Sequence, residues 1–219
     1  MKILWMTIGR VFKQEVISPE GFATCESFKE TDMLTDLTGV DIGHNVRIFP
    51  QAKIVHRGEN LSIGDHAQID DFAFINAGIS CQIGKFTHIS SFVSILGGGE
   101  FIMEDFSGLC AGCRIITGSD DFTGGYLANP TIPARYKNVI LGKVVIKRYA
   151  IIGTNAIILP GVVVGEGATV GAGTLVANNL EPWGVYVGTR PIKIGERNRE
   201  EVMSREAEFM KELRPVQIP

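Results

Sequence analysis

The sequence has few of the features that mark a specialised class of protein. Only 4 of its 219 residues are cysteine, which excludes a disulfide-stapled scaffold. The 21 Lys+Arg and 24 Asp+Glu leave a formal net charge of -3, so there is no basic footprint for nucleic acid. No apolar run approaches the roughly 20 residues of a membrane span. The opening MKILWMTIGR lacks the layout of a secretory signal. We therefore expect a cytoplasmic protein that binds no nucleic acid and does not span a membrane.

The 26 glycines show no period of three, which excludes collagen, but the chain does have a period of six. Aliphatic residues recur at this step, and the residue four positions further on is usually small. Glycine often follows the aliphatic residue, as in Ile63-Gly64 and Ile152-Gly153. The aliphatic series is Ile42, Ile48, Ile54; Ile63, Ile69, Ile75; Ile83, Ile89, Ile95; Met103, Leu109, Ile115; and then Ile140, Ile146, Ile152, Ile158, Val164, Val170, Val176.

A step of six is neither the period of a helix nor that of a simple strand, and it fits a short strand followed by a tight turn. Three such units form one triangular coil, and parallel coils stack at about 4.8 Å to build a continuous core. The pattern predicts an all-β protein, a parallel β-helix over residues 41–180. Residues 1–40 precede the repeat, and residues 181–219 form a tail with a charged helix from Glu196 to Leu213.

The repeat is interrupted after Ile54, Ile75, Ile95 and Ile115, each of which ends a coil. All four interruptions should therefore leave the prism at the same corner. The fourth is a long loop, residues 117–139, and long loops in repetitive scaffolds are often functional.

Aromatic residues recur at outward positions of successive coils. The register predicts two stacked columns, one of His66, Phe86 and Phe106 and one of Phe72 and Phe92. Exposed apolar ladders of this kind favour association, and the simplest arrangement is a cyclic trimer. The alternative is that the N-terminal segment covers the columns.

The segment ILGKVVIKRYAIIGTNAIILPGVVVGEGATVGAGTLV and its continuation to residue 194 closely resemble the hexapeptide-repeat acyltransferases. The similarity is to the sugar O-acetyltransferase branch, with its galactoside, maltose and streptogramin acetyltransferases and its surface-polysaccharide enzymes, and it covers roughly residues 40–195. It implies a left-handed β-helix, a homotrimer, and acetyl-CoA as co-substrate in a groove between two prisms, with no metal.

The resemblance also assigns cofactor-binding positions. Gly153 and Thr154 match residues beside the pantetheine, and Gly171 and Ala172 match a turn that contacts it further along. Ala177 and Asn178 stand where relatives often have Thr-Lys, so a phosphate-pairing lysine is missing. The nearest basic residues for the phosphates of CoA are Lys193 and Arg197.

A sugar hydroxyl needs a base to take its proton when it attacks a thioester. In galactoside and streptogramin acetyltransferases this base is a His in the long loop, but here the loop has Ser119, Asp120 and Asp121 and no His. We hypothesise that His88 is the base, and that Asp120 or Asp121 of a neighbouring subunit orients it or binds the acceptor. Ser90 and Ser119 are then candidate substrate-binding residues. The alternative for His88 is a surface or interface histidine.

These observations predict an acetyl-CoA-dependent acetyltransferase that acts on a hydroxyl or amine of a sugar or nucleotide sugar, in surface-polysaccharide biosynthesis. An N-acetyltransferase for a nucleotide-linked amino deoxysugar is one alternative, because a neutral amine needs less help from a base. A non-catalytic trimeric scaffold is another. Cys110 and Cys113 form a lone CxxC, which we interpret as structural because Cys113 falls on a small inward position.

Overall fold

A computed structural model describes residues 36–213 of the chain. Within them one α-helix, α1 (Arg199–Glu212), and one 3₁₀ turn, Ala134–Tyr136, accompany a series of short strands. In chain order the strands are β1 (Asp41–Ile42), β2 (Arg47–Ile48), β3 (Lys53–Val55), β4 (Leu61–Ile63), β5 (Gln68–Ile69), β6 (Phe74–Asn76), β7 (Ser80–Ile83), β8 (His88–Ile89), β9 (Ser94–Leu96), β10 (Glu100–Met103), β11 (Gly108–Leu109), β12 (Arg114–Ile116), β13 (Gly118–Asp120), β14 (Val139–Leu141), β15 (Lys143–Ile146), β16 (Ile151–Ile152), β17 (Ile157–Ile158), β18 (Val163–Val164), β19 (Thr169–Val170), β20 (Leu175–Val176), β21 (Gly184–Val187) and β22 (Ile192–Glu196).

The strands stack into three parallel faces, which confirms the predicted β-helix. Face A contains β1, β4, β7, β10, β15 and β18; face B contains β2, β5, β8, β11, β16, β19 and β21; face C contains β3, β6, β9, β12, β17 and β20. Face B continues beyond residue 180, because β21 pairs in parallel with β19 and β22 then pairs with β21 in the antiparallel sense. Among residues 36–213 no helix is long and apolar enough to span a membrane.

Most aliphatic residues of the six-residue period fill the interior of the prism. Ile42 and Ile140 are 38% and 55% exposed, and the inward position predicted for Ile140 is wrong because it lies on the hairpin strand β14. Ile69, Ile89 and Ile152 are fully buried, and the small positions, such as Ala73 and Cys113, are buried with them. Each large aliphatic side chain contributes about 1.5–3 kcal/mol when it is buried. Backbone bonds join successive coils, as where Gly64 N donates to Ile83 O over 2.7 Å. The core is therefore one column of stacked layers.

The chain turns at three corners in each coil. The first corner leads from face A to face B, the second from face B to face C, and the third from face C to face A. At the first two corners many coils place a non-glycine residue in the left-handed region of φ, which is uncommon for side-chain-bearing residues. They are Asn45, His66, Phe72, Phe86, Phe92, Phe106, Tyr149 and Asn155, with φ between 53° and 63°.

The third corner carries the interruptions. Each of the four strands that precede them, β3, β6, β9 and β12, belongs to face C, so the interruptions do leave at a common corner as predicted. The long fourth one begins as a hairpin in which β13 and β14 pair in the antiparallel sense. Buried Thr117 anchors its base, because its hydroxyl donates to Leu96 O and accepts from Gly99 N.

Aromatic rings form a ladder along the first corner. His66, Phe86, Phe106 and Tyr149 stack with centroid separations of 4.6, 4.9 and 5.9 Å, and Trp183 follows at 5.9 Å. The predicted stacking of the first column is confirmed. Within the described residues, this column is covered by α1, whereas the sequence analysis had suggested a subunit interface or the N-terminal segment. Residues 1–35 lie outside the described residues.

Helix α1 is fastened to this ladder by one aromatic and one acidic side chain. Phe209 presents its ring edge-on to Phe86 and Phe106, at 5.3 and 6.3 Å between centroids. Glu206 accepts hydrogen bonds from the Arg148 guanidinium and the Tyr149 hydroxyl. The tail thus belongs to the packing of the first corner.

Candidate active site

Near the second corner, a histidine, a carboxylate and an amide face outward and are joined by hydrogen bonds. His88 lies on β8 of face B, with Gln68 below it and Gly108 above it in register. Its Nε2 lies 2.8 Å from Asp70 Oδ2, and Gln68 Nε2 donates to the other Asp70 oxygen over 2.8 Å. The imidazole is half exposed, whereas the Asp70 side chain is 20% exposed.

The hydrogen bond to Asp70 determines which His88 nitrogen can act as a base. An ionised carboxylate only accepts hydrogen bonds, so Nε2 carries the proton in the neutral imidazole. The lone pair is then on Nδ1, which has no partner among residues 36–213. A Cβ built on Gly108 meets no atom within 4 Å, so the space above the ring is open. This arrangement of carboxylate, imidazole and open space suits a general base.

Ser90 lies in the same column as Asp70. Each of them is the first residue of the second corner in its coil, and Ser90 N donates to Leu109 O over 3.0 Å. The same position is occupied one coil further on by Cys110, then by Gly153, then by Gly171. Asp70 and Ser90 therefore lie in one column with two of the predicted cofactor positions, and His88 lies in the neighbouring column of face B, with Gln68 and Gly108.

The cofactor positions at this corner are all small and open. Thr154 and Ala172 are exposed neighbours on successive coils, and Gly173 N donates to Thr154 O over 2.8 Å. A Cβ on Gly153 would lie 2.7 Å from Ala172 N, so the two coils are in direct backbone contact there. At about 4.8 Å per coil, Gly153 lies about 10 Å from Ser90. These small residues form a row along the second corner, from Ala172 down to Ser90 in the coil of His88, which we call the second-corner channel.

Three predicted residues lie apart from this channel. Ala177 follows β20 and so belongs to the third corner. Lys193 on β22 is paired with Glu196 over 2.7 Å, which raises the pKa of the lysine. Arg197 donates to Tyr149 O over 2.5 Å, and its burial lowers its pKa. Arg197 therefore contributes to the first-corner packing, and its assignment to the phosphates of CoA stays a prediction.

The carboxylates of Asp120 and Asp121 accept hydrogen bonds from other residues of the long loop. Asp121 accepts from Asn138 Nδ2, Thr123 N and Gly124 N, and the hydrogen bond from Asn138 is the largest of the effects that lower its pKa. Asp120 accepts from Asn129 N over 3.0 Å, and the Ser119 hydroxyl donates to Asp120 O.

Because the loop leaves from the third corner, it is remote from His88 of its own chain. Within one chain the residue that orients His88 is Asp70, which the sequence analysis did not single out. Asp70 follows Ile69 just as Ser90 follows Ile89, and this shared register is the signal that could have revealed it.

Cys81, Cys110 and Cys113, the cysteines within residues 36–213, are free thiols. Burial raises the pKa of Cys81 and Cys113 to about 12, and it also raises that of Cys110. Within the described part of the chain no three His, Cys, Asp or Glu side chains are grouped to hold a metal ion. Cys113 fills a small inward position, as the structural interpretation of the CxxC requires.

Comparison with known proteins places the chain in a family. Residues 138–178 match the family described as bacterial transferase hexapeptide (six repeats). The chain is 34% identical over 159 residues to the dTDP-4-amino-4,6-dideoxy-D-glucose acyltransferase of Escherichia coli, a match that covers 72% of this chain and 82% of the relative. The chain belongs to the hexapeptide-repeat acyltransferases.

Solved structures of similar proteins include several of AntD, an N-acyltransferase from Bacillus cereus. The complex with dTDP and 3-hydroxybutyryl-CoA superposes on this hexapeptide-repeat acyltransferase with a TM-score of 0.72 at 38% identity, covering 83% of this chain and 92% of AntD. A variant of AntD with one serine replaced was solved with dTDP-4-amino-4,6-dideoxyglucose and coenzyme A, with the same TM-score, identity and coverage.

Proposed function

We propose that this acyltransferase is an N-acyltransferase that moves the acyl group of acyl-CoA to the amine of a dTDP-linked 4-amino-4,6-dideoxyhexose. The observation that carries the proposal is the similarity to AntD, which has been solved with this sugar and coenzyme A, at 38% identity over 83% of the chain. The E. coli relative is named for the same sugar. An amine acceptor also fits a long loop that contains no histidine.

The His88–Asp70 pair supplies the proton transfers that this reaction needs. The amine nitrogen attacks the thioester carbonyl carbon, a C–N bond forms, and the C–S bond breaks to release CoA as a thiolate. The proton that the amine loses passes to the open Nδ1 of His88, and the imidazolium then returns it to the thiolate. Asp70, 2.8 Å from Nε2, keeps the ring in position and stabilises its charged form.

The second-corner channel is the proposed path of the pantetheine. Gly153, Thr154, Gly171 and Ala172 present little more than backbone there, and Thr154 and Ala172 are exposed. A pantetheine that follows them downward brings its thioester toward Ser90 and His88. Lys193, which is exposed although paired with Glu196, stays a candidate for the phosphates of CoA.

We also propose a homotrimer in which the second corner of one copy faces the third corner of the next. Phe72 and Phe92 stack at 5.1 Å and are 51% and 58% exposed, so the second corner has an apolar surface to bury. The arrangement brings Ser119, Asp120 and Asp121 of one copy to His88 of another. The expected setting is cytoplasmic, in surface-polysaccharide biosynthesis.

The direct test is acyl transfer by the full chain, with acetyl-CoA as donor and dTDP-4-amino-4,6-dideoxy-D-glucose as acceptor. Thiol release is followed, and the amide product is identified by mass spectrometry. The matched acceptor carries a hydroxyl in place of the amine. We expect an amide from the amino sugar and little turnover of the hydroxyl analogue. Equal turnover of both acceptors, or no turnover of the amino sugar, would contradict N-acyl transfer.

A further inference from the structure

The third corner contains a groove that the proposed chemistry leaves unused. It has a volume of about 650 Å³, within the range of roughly 300–1,000 Å³ that is typical of small-molecule sites. The ends of β3, β6 and β9 and the short interruptions that follow them form its walls. It therefore lies on the lower coils, on the same corner as the long loop.

The groove and the long loop are joined by close backbone packing. A Cβ on Gly97 would lie 2.1 Å from Gly118 N, at the start of β13, and one on Gly99 would lie 2.2 Å from Thr117 O. Gly98, between them, lines the groove with φ +78°, and a Cβ there would meet no atom within 4 Å. The backbone at Gly98 is thus open to close approach by a ligand.

The charge of the groove suits an anion. Arg57 lines it, and no ion pair or hydrogen bond from its guanidinium is present among residues 36–213. His56, beside it, is held by the backbone, because its Nε2 lies 2.5 Å from Asp36 O and its Nδ1 accepts from Gly58 N. No Asp or Glu is among the residues that line the groove. An unpaired guanidinium without a competing carboxylate favours a phosphate group.

The groove also has an apolar wall beside amide groups. Val55 and Ile79 are 44% and 57% exposed there, which is unusual for side chains this apolar. Asn76 accepts from Gly78 N through Oδ1, which leaves its NH₂ group free to donate. Asn60 is tied to Arg57 N and Gly78 O and holds the walls together. A flat ring could lie on the aliphatic wall with its polar edge toward Asn76.

We propose that this third-corner groove binds the nucleoside diphosphate of the acceptor, with the diphosphate on Arg57 and the base against Ile79. The proposal rests on the proposed function, since it assigns the nucleotide part of that substrate. A nucleotide held here lies below the loop of the same copy. In the proposed trimer, its sugar then extends toward the second corner, and so toward His88, of the adjacent copy.

The test is calorimetric titration of dTDP into the full chain in the absence of CoA. Removing a charge-assisted contact costs roughly 1.5–3 kcal/mol, so Arg57→Gln should weaken dTDP binding about 10- to 100-fold. Ile79→Ser should weaken it by a smaller factor. Arg190→Gln is the matched control, because Arg190 is an exposed arginine of the β21–β22 turn and its loss changes the net charge equally. His88→Ala should also keep the wild-type dTDP affinity.

The outcomes separate this inference from the proposed function. Weakening by Arg57→Gln, with wild-type affinity in Arg190→Gln, supports the groove as the nucleotide site. If the wild-type chain binds dTDP and acylates the amino sugar while Arg57→Gln binds dTDP equally well, the groove assignment is wrong and the proposed function stands. If the wild-type chain neither binds dTDP nor acylates the sugar, the proposed function fails and the groove assignment fails with it.

Discussion

The first and second corners of the prism have the same backbone conformation and opposite surfaces. Phe86 at the first corner and Phe92 at the second have φ of 53° and 62°, so the chain turns in the same way at both. The first corner is filled by five stacked rings under α1. The second has only the exposed Phe72–Phe92 pair, and above it the coils turn through Gly112, Asn155 and Gly173. Aromatic side chains and α1 cover the first corner, whereas the upper coils of the second corner have no such side chains and stay exposed.

The two corners also differ in the charge of their side chains. The middle residues of the first corner form a ladder of ion pairs, with Lys85 to Asp65 at 2.6 Å and Arg148 to Asp105 at 3.4 Å. At the second corner the corresponding upper residues are Ala111, Thr154 and Ala172, none of them charged. The comparison indicates that the first corner is structural, and it supports our proposal that the second corner binds CoA and a neighbouring copy.

The largest expected effect is on catalysis at the second corner. Because a positioned general base contributes about 10²–10⁴-fold, His88→Ala should lower kcat by that factor while thermal unfolding is unchanged. Steady-state kinetics with acyl-CoA and the amino sugar measure it. His44→Ala is the matched control, since His44 is exposed and its hydrogen bonds among residues 36–213 are made by its backbone, with its N donating to Asp65 Oδ1 and its O accepting from His66 N. A fall in kcat of less than about tenfold in His88→Ala would mean that His88 is not the general base.

The next effect is on stability, and it compares one glycine from each corner. Gly167 and Gly173 have φ of 65° and 67°, but a Cβ on Gly167 would lie 2.3 Å from the Trp183 ring, whereas one on Gly173 meets nothing within 4 Å. Gly173→Ala should therefore cost about 1–2 kcal/mol, for backbone strain alone. Gly167→Ala should cost about 1–3 kcal/mol more, for the clash.

Chemical denaturation of both glycine variants measures this difference. Equal losses in the free energy of unfolding would mean that Trp183 does not pack on the first corner as described.

A smaller effect distinguishes rings that the chain covers from rings that it leaves exposed. Phe209→Ala removes an edge-on contact with two rings of the first corner and should lower the free energy of unfolding by about 1–2 kcal/mol. Phe92→Ala removes a side chain that is 58% exposed, so its main effect should be on association of copies. Sedimentation velocity should show smaller species for Phe92→Ala and not for Phe209→Ala. Smaller species for Phe209→Ala and not for Phe92→Ala would mean that copies associate through the first corner and not through the second.

The smallest effect is on thiol reactivity. Cys110 is half-buried at the second corner, whereas Cys81 is buried on face A and has a pKa raised to about 12. In a Cys25→Ser background at pH 8, a thiol reagent should modify Cys110 slowly and Cys81 hardly at all, because only the thiolate reacts. Raising the pH should speed the reaction at Cys110, and CoA should slow it. Modification of Cys81 first would contradict the packing of face A.

The sequence predicted those parts of the molecule that repeat. The step of six specified the inward isoleucines, the common corner of the interruptions and the stacking of Phe86 on Phe106, because each follows from register alone. It did not predict that α1 would cover the first corner, since α1 has a weak apolar stripe and docks through Glu206 and Phe209. Nor could the repeat predict the first-corner contact of Arg197, because its carbonyl partner, Tyr149, is 48 residues away in the chain.

The candidate site was predictable only in part. His88 and Ser90 were reached from the repeat register, and the structure sets Ser90 in one column with Gly153 and His88 in the neighbouring column with Gly108. Asp70 was missed because an acidic residue after an inward isoleucine is unremarkable until a histidine is known to lie above it. The proposed contact between a loop carboxylate of a second copy and His88 stays a prediction, because the register of a single chain carries no information about it.

The most direct test of the second corner is a crystal structure of the chain with coenzyme A and dTDP-4-amino-4,6-dideoxy-D-glucose. The account predicts pantetheine along Gly153 and Thr154, and a sugar amine within about 3 Å of His88 Nδ1. Coenzyme A bound along the first corner, or a sugar amine bound out of reach of His88, would contradict it.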